Sequence, residues 1–194
     1  MTIGNQRSCR MHKKTISQEK IIKTTLEMVQ RKNGIRDINL RKFARELGCA
    51  HTNLYNYFPN FNELMWNAMF KATELMGEFI FERQTLESLI DRYIVYAYNN
   101  RELYKLIWYE DLGEVPDNLK DRISSPGRKT IRMLEKTTAF SEEALEKRVN
   151  NAMSYVHGEI SFLLFGRRPG GIPDFNLWKK RVKRTALSIF YDIE

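Results

Sequence analysis

Apolar residues recur along most of this chain at intervals of three and four, the spacing that lays one face of an α-helix against a core. Ser17 can cap a first helix running to about Lys32 with Ile22, Thr25, Leu26 and Val29 inward, and Gly34 ends it. Asn39 caps a second helix in which Leu40, Phe43, Ala44 and Leu47 share one side, leaving Arg41, Lys42 and Arg45 to water. Gly48 stops that helix, because glycine alone takes the left-handed conformation without steric cost. After Pro59, Asn60 with Glu63 makes a capping-box-like start to a helix reaching about Phe81, roughly 30 Å long at about 1.5 Å per residue. Further helices run from about Leu86 to Asn99 and from about Arg101 to Leu112, where Gly113 to Pro116 make a break. Another starts at Asp117 or Asn118 and is interrupted at Ser125, Pro126 and Gly127; the last two run from Ser141 to near Phe165 and from Asp174 to about Asp192. The pattern predicts an all-α chain of about nine helices. It divides into a flexible basic tail (1–15), a small three-helix domain (16–62) and a larger helical domain (63–194).

The segment Leu40 to Met65 carries the most information. Its second short helix restarts around Leu54, and at about 100° per residue Thr52 and Asn56 point away from the core while Asn53 and Tyr55 flank it. A polar, solvent-facing helix held by a buried partner is the helix-turn-helix arrangement, whose second helix presents its first residues to base edges in the major groove. Charge agrees independently. The chain has 32 Lys and Arg against 24 Asp and Glu, and residues 1–62 hold twelve of the basic and four of the acidic ones, so the whole net +8 lies around this motif. A basic domain on a neutral body is the electrostatic footprint expected of a binder of double-stranded DNA. The tail, with Arg7, Arg10, Lys13 and Lys14, can lie along DNA or be a terminus without a role.

From about Ser17 to Leu64 the order of caps, Gly34, Gly48, Leu54-Tyr55, Tyr57-Phe58 and Asn60 to Leu64 resembles the TetR/AcrR-type family of bacterial transcriptional regulators. The resemblance implies that Arg41, His51, Thr52 and Asn53 approach bases and that Tyr55 and Tyr57 hydrogen-bond phosphates. Three positions depart from the family pattern. Ala50 stands where a small polar cap is usual, Phe61 where a phosphate-binding lysine is usual, and Val29 where an aromatic is usual. The resemblance further implies a homodimer built from the last two helices and a small-molecule pocket among the middle ones. NNRELYKLIW and the later YVHGEISFLL are similar to one subgroup with a His-Gly pair in its last long helix.

The body offers candidates for both roles. Leu145, Val149, Ala152, Val156, Ile160 and Leu163 form one stripe of the penultimate helix, with a second apolar face at Tyr155, Gly158, Phe162 and Phe165. Trp178, Val182, Ala186, Ile189 and Ile193 form a stripe on the last helix. Ala152, Val156, Trp178, Val182, Ala186 and Ile189 are the interface candidates, and ordinary core is the competing reading. Tyr93, Tyr96, Tyr104, Trp108 and Tyr109 suit an aromatic-lined pocket for a lipophilic effector, with Tyr155 and His157 beside them, although aromatics at helical spacing also build cores. Glu159 and Glu102 can pair with a cationic ligand or remain solvated.

Other chemistry is excluded or absent. Cys9 and Cys49 give neither metal spacing nor a disulfide framework, which fits a reducing cytoplasm. No apolar run approaches the roughly 20 residues of a membrane span, and no nucleophile elbow, phosphate loop or metal-ligand spacing occurs, so neither cofactor nor enzyme is expected. The expectation is a cytoplasmic, effector-responsive DNA-binding regulator, with a ligand-independent architectural DNA binder as the alternative.

Overall fold

Side-chain caps begin the helices where the sequence places them. In the computed structural model, which describes residues 16–31, 34–35, 38–48, 50–82, 85–122, 125–136, 138–166 and 174–192, Ser17 Oγ accepts the backbone N–H of Lys20 at the start of α1 (Gln18–Arg31). Asn39 caps α2 (Leu40–Leu47) through Lys42 N, and Asn60 caps α3 (Phe61–Ile80) through Glu63 N at 2.8 Å. Thr85, Ser141 and Asp174 do the same for α4 (Leu86–Asn99), α7 (Glu142–Leu164) and α8 (Phe175–Tyr191), each satisfying an N–H that the first helical turn leaves without a partner. Between them lie α5 (Arg101–Trp108) and α6 (Ser125–Glu135). Two segments, His51–Asn56 and Asp117–Arg122, are 3-10 turns. The described residues contain no strand, so the chain is all-helical as the periodicity requires. The basic tail, Cys9, Cys49, the 167–173 loop and Ile193 lie outside the described residues, as do the side chains of Leu40 and His51.

Two apolar clusters organise the packing, and they overlap in sequence. The first unites Ile21, Leu26 and Val29 of α1 with Phe43 of α2, Leu54, Phe58 and the first half of α3. The inward residue of α1 is Ile21, fully buried, where the sequence reading has Ile22. The second cluster holds Met76 and Ile80 at the far end of α3 together with α4, α6, α7 and α8. Helix α5 serves both: Leu103 and Leu106 enter the first cluster and Tyr104 the second. The boundary expected at residue 62 is therefore not a packing boundary. α3 and α5 bind head to body, α3 because its first half enters one core and its far end the other, α5 because neighbouring residues turn to different cores.

At this joint Gly34, with φ +115°, closes α1 against α5. A Cβ there would stand in ordinary contact, 3.4 Å from Glu110 and 3.5 Å from both Glu102 and Lys105, so it is the left-handed backbone conformation and not a lack of space that favours glycine.

The interface expected on the buried stripes is corrected by packing. Ala152, Val156, Trp178, Val182 and Ala186 are each at most 3% exposed within one chain, and Ile189 is partly buried against the same core. α7 and α8 run antiparallel along each other, with Arg148 donating to the Phe190 carbonyl at one end and Arg181 paired with Glu159 at 2.8 Å at the other. That contact, together with α4, consumes the stripe. Of the second face of α7, Gly158, Phe162 and Phe165 are left outward, with Phe162 60% exposed, while Tyr155 packs partly against the core; on α8 the exposed apolar residues are Leu177 (72%) and Tyr191 (46%).

Candidate nucleic-acid interface and aromatic cluster

The segment after Gly48 is a 3-10 turn of six residues, shorter and tighter than the α-helix expected there. Two local causes act together. Ala50 provides no side-chain acceptor for the first N–H groups, and Pro59 stops the chain three residues after Asn56. The ladder is correspondingly i to i+3, with Asn53 N donating to Ala50 O and Tyr57 N to Leu54 O, both at 3.0 Å.

This geometry sorts the predicted DNA-facing residues. Leu54 is 1% exposed and anchors the turn on Phe43 and Phe58, so Thr52, Asn53, Tyr55 and Asn56 face solvent. On α2, Arg41, Lys42 and Arg45 are exposed, and the Arg31–Glu46 ion pair at 2.6 Å ties that helix to α1. Gly48, at φ 66° and ψ 33°, donates to the carbonyls of Ala44 and Arg45 and turns the chain between the two elements. Arg41, Thr52, Asn53 and Tyr55 are thus all accessible, on two elements that pack against each other. His51 stands at its first position, with a side chain outside the described residues.

Tyr57 is a correction. Three positions past Leu54, where a 3-10 turn eclipses side chains, it lies inward, and its hydroxyl donates to the carbonyl of Ile16. It ties the entry of α1 to the turn and is not presented as a phosphate ligand. Tyr57→Phe is expected to cost about 1 kcal/mol of stability, the usual net worth of one such hydrogen bond, with DNA affinity unchanged per folded molecule. Chemical denaturation beside a binding titration reads both, and a variant of full stability with weakened binding refutes the inward role.

In the body the expected pocket residues form a hydrogen-bonded cluster around His157. Tyr104 Oη lies 2.5 Å and Tyr93 Oη 3.3 Å from His157 Nδ1, and Tyr109 Oη lies 2.9 Å from Nε2. The Tyr109 hydroxyl also bonds Ser161, whose Oγ donates to the His157 carbonyl at 2.5 Å. The network closes when Tyr104 donates to Nδ1 and the Nε2–H donates to Tyr109. Trp108, half exposed, sets its ring edge-on to the imidazole at 5.2 Å, and Tyr109 stacks on it at an interplanar angle of 4°. Burial pushes the Tyr93 and Tyr104 hydroxyls far above the ordinary tyrosine range. Tyr96 departs from the group: its hydroxyl faces the Ala72 carbonyl at 3.5 Å, and burial raises it to about 12. Tyr155 packs against the body core outside these hydrogen bonds. Ser161 was not singled out by sequence, although its place one turn after His157 is the signal that finds it. Glu159 is not left for a cationic ligand, since it accepts from Trp178 Nε1 at 3.0 Å and from Arg181, while Glu102 sits at the Gly34 joint.

Burial also lowers the pKa of His157 below its ordinary value near 6.5, favouring the neutral ring that the network needs. For a depressed group the unfolded chain binds the proton more readily. The stabilisation is therefore complete above about pH 6.5 and disappears as pH falls through the lower folded value. Melting temperature is expected to drop on acidification below about pH 6.5, and to drop less in His157→Gln. Parallel acid profiles for the two proteins would show that His157 contributes nothing.

No described helix is long and apolar enough to cross a membrane, and no group of metal-ligating side chains is assembled among the described residues. The sequence matches no protein-family model, and no curated protein is significantly similar to it.

Proposed function

We propose that this chain is a DNA-binding transcriptional regulator of the TetR type, acting as a homodimer on an imperfect palindrome and released by a small lipophilic or aromatic molecule. The observation that carries the reading is the exposed surface of Arg41, Thr52, Asn53 and Tyr55, held over a buried Phe43–Leu54–Phe58 floor in the part of the chain that owns the whole charge excess. Arginine can fork onto guanine O6 and N7, asparagine can pair with adenine, and threonine can touch a thymine methyl. A second copy would dock around the exposed Phe162 of α7 and Leu177 at the start of α8, beside Gly158, which has no atom within 4 Å of its Cβ position and permits close approach of a helix. An effector preferring the non-binding spacing of the two heads by about 1.4 kcal/mol weakens DNA binding up to tenfold at saturation.

Selection of bound sequences from random duplex DNA tests the class and the symmetry together. A palindromic consensus is expected, and absence of any enriched sequence defeats the reading. Within that consensus, Arg41→Ala and Asn53→Ala are expected to relax preference at single positions by about 1 to 3 kcal/mol, while Tyr55→Phe weakens all sequences alike. An unchanged consensus in Asn53→Ala would displace the turn from the groove.

One observation favours a second reading, an architectural DNA binder without an effector: the hydroxyls around His157 already satisfy one another. Thermal stabilisation by a panel of lipophilic compounds separates the two, since only a ligand-responsive body gains stability from them.

A further inference from the structure

A second feature of the body lies away from both the polar head and the His157 cluster. Lys129 and Arg132 lie one turn apart on α6 and Lys136 follows directly after its end; all three are exposed and border one hollow. They rim a groove of about 300 Å³ whose apolar floor is Phe81, at the end of α3 farthest from the head, and Met133, only 9% exposed. Lys129 Nζ stands 4.5 Å over the centre of the Phe81 ring and clasps α6 to that end of α3. Of the nearby acids, Glu82 is held by Arg92, and neither Glu78 nor Glu135 lines the groove. Three positive charges therefore border an apolar hollow with no carboxylate among its described lining residues.

We propose that this groove binds a small amphiphilic carboxylate, its apolar chain over Phe81 and Met133 and its head group between Arg132 and Lys136. The guanidinium of Arg132 offers the planar fork that matches a carboxylate, and Lys136 adds a compact charge one turn away. The volume stands at the lower end for ligand pockets and equals that of about ten waters, which suits a chain of roughly eight carbons. Duplex DNA fits poorly, because Phe81 is separated from the head by the roughly 30 Å length of α3 and a phosphate backbone makes no use of an apolar floor. The site stands on the geometry of α3 and α6 alone and does not depend on the DNA-binding reading.

The test is calorimetric titration of the full chain with octanoate and with octan-1-ol, repeated on the Arg132→Gln/Lys136→Gln double variant, alongside methyl spectra of ¹³C-labelled methionines. Octanoate is expected to bind saturably and to shift the Met133 methyl, octan-1-ol to bind at least about tenfold more weakly, and the double variant to lose at least about tenfold in octanoate affinity. Equal affinity for acid and alcohol, no saturable binding of octanoate, or unchanged affinity in the double variant overturns the proposal. So does octanoate binding that His157→Ala abolishes, since the ligand then occupies the aromatic cluster. A groove that takes poly-glutamate or duplex DNA but not octanoate is a macromolecular contact and equally overturns it. If the double variant loses its helical circular dichroism, the Met133 shift in the wild-type protein decides, with silence of that methyl counting against the site.

Discussion

Raising monovalent salt from about 50 to about 200 mM is expected to weaken binding to the selected DNA by roughly 10³-fold. Residues 1–62 carry twelve basic and four acidic residues, and Arg31 among them is paired with Glu46. With about six phosphates neutralised by a dimer, at roughly −0.9 per phosphate, log K falls against log salt with a slope near −5. Counterion release is the cause, so the loss follows ionic strength and not the chemistry of the anion. Fluorescence anisotropy across a salt series measures the slope directly. A nearly flat titration would mean that the basic surface meets something other than a phosphate backbone.

Val156→Glu and Leu177→Glu are expected to fail in opposite ways, though both place a carboxylate on the last two helices. Val156 is completely buried on α7, in the core shared with α4 and α8, and the described residues of that core include no cation to receive a carboxylate. Burying an unpaired charge costs several kcal/mol, which is comparable with the whole stability of a typical domain at about 5 to 15 kcal/mol. Loss of the cooperative thermal transition is expected. Leu177 is 72% exposed, so its replacement leaves the chain folded and, on the proposed interface, drives the dimer towards monomer. Circular dichroism and sedimentation velocity together read both outcomes. A folded Val156→Glu protein would refute the core assignment, and a Leu177→Glu/Phe162→Glu protein that stays dimeric would move the interface elsewhere.

The residues that chain-local chemistry governs were legible in advance. Ser17, Asn39, Asn60, Ser141 and Asp174 cap the helices they were expected to cap, because a cap needs only an acceptor three residues before an N–H. Gly48 takes its left-handed turn for an equally local reason. The polar surface of Arg41, Thr52, Asn53 and Tyr55 was legible because Leu54 and Phe43 announce the buried side of each element. Tyr57 was misread, since the shortening to a 3-10 turn brings it under Leu54, within reach of the Ile16 carbonyl.

What the sequence by itself determined is therefore the all-helical class, most helix ends, the basic N-terminal part and the exposed polar residues around Leu54. Tertiary structure decided which of two apolar faces on α7 and α8 is core and which is outward. Periodicity gives a helix its stripes, but only the neighbour that arrives says which stripe is covered, and here α4 and the antiparallel α7–α8 contact cover Val156 and Val182. It also decided that α5 feeds Leu103 and Leu106 to one core and Tyr104 to the other, and that Tyr93, Tyr104 and Tyr109 meet a histidine between 48 and 64 residues away. Contacts across such separations depend on how whole helices pack, a property that no window of sequence contains.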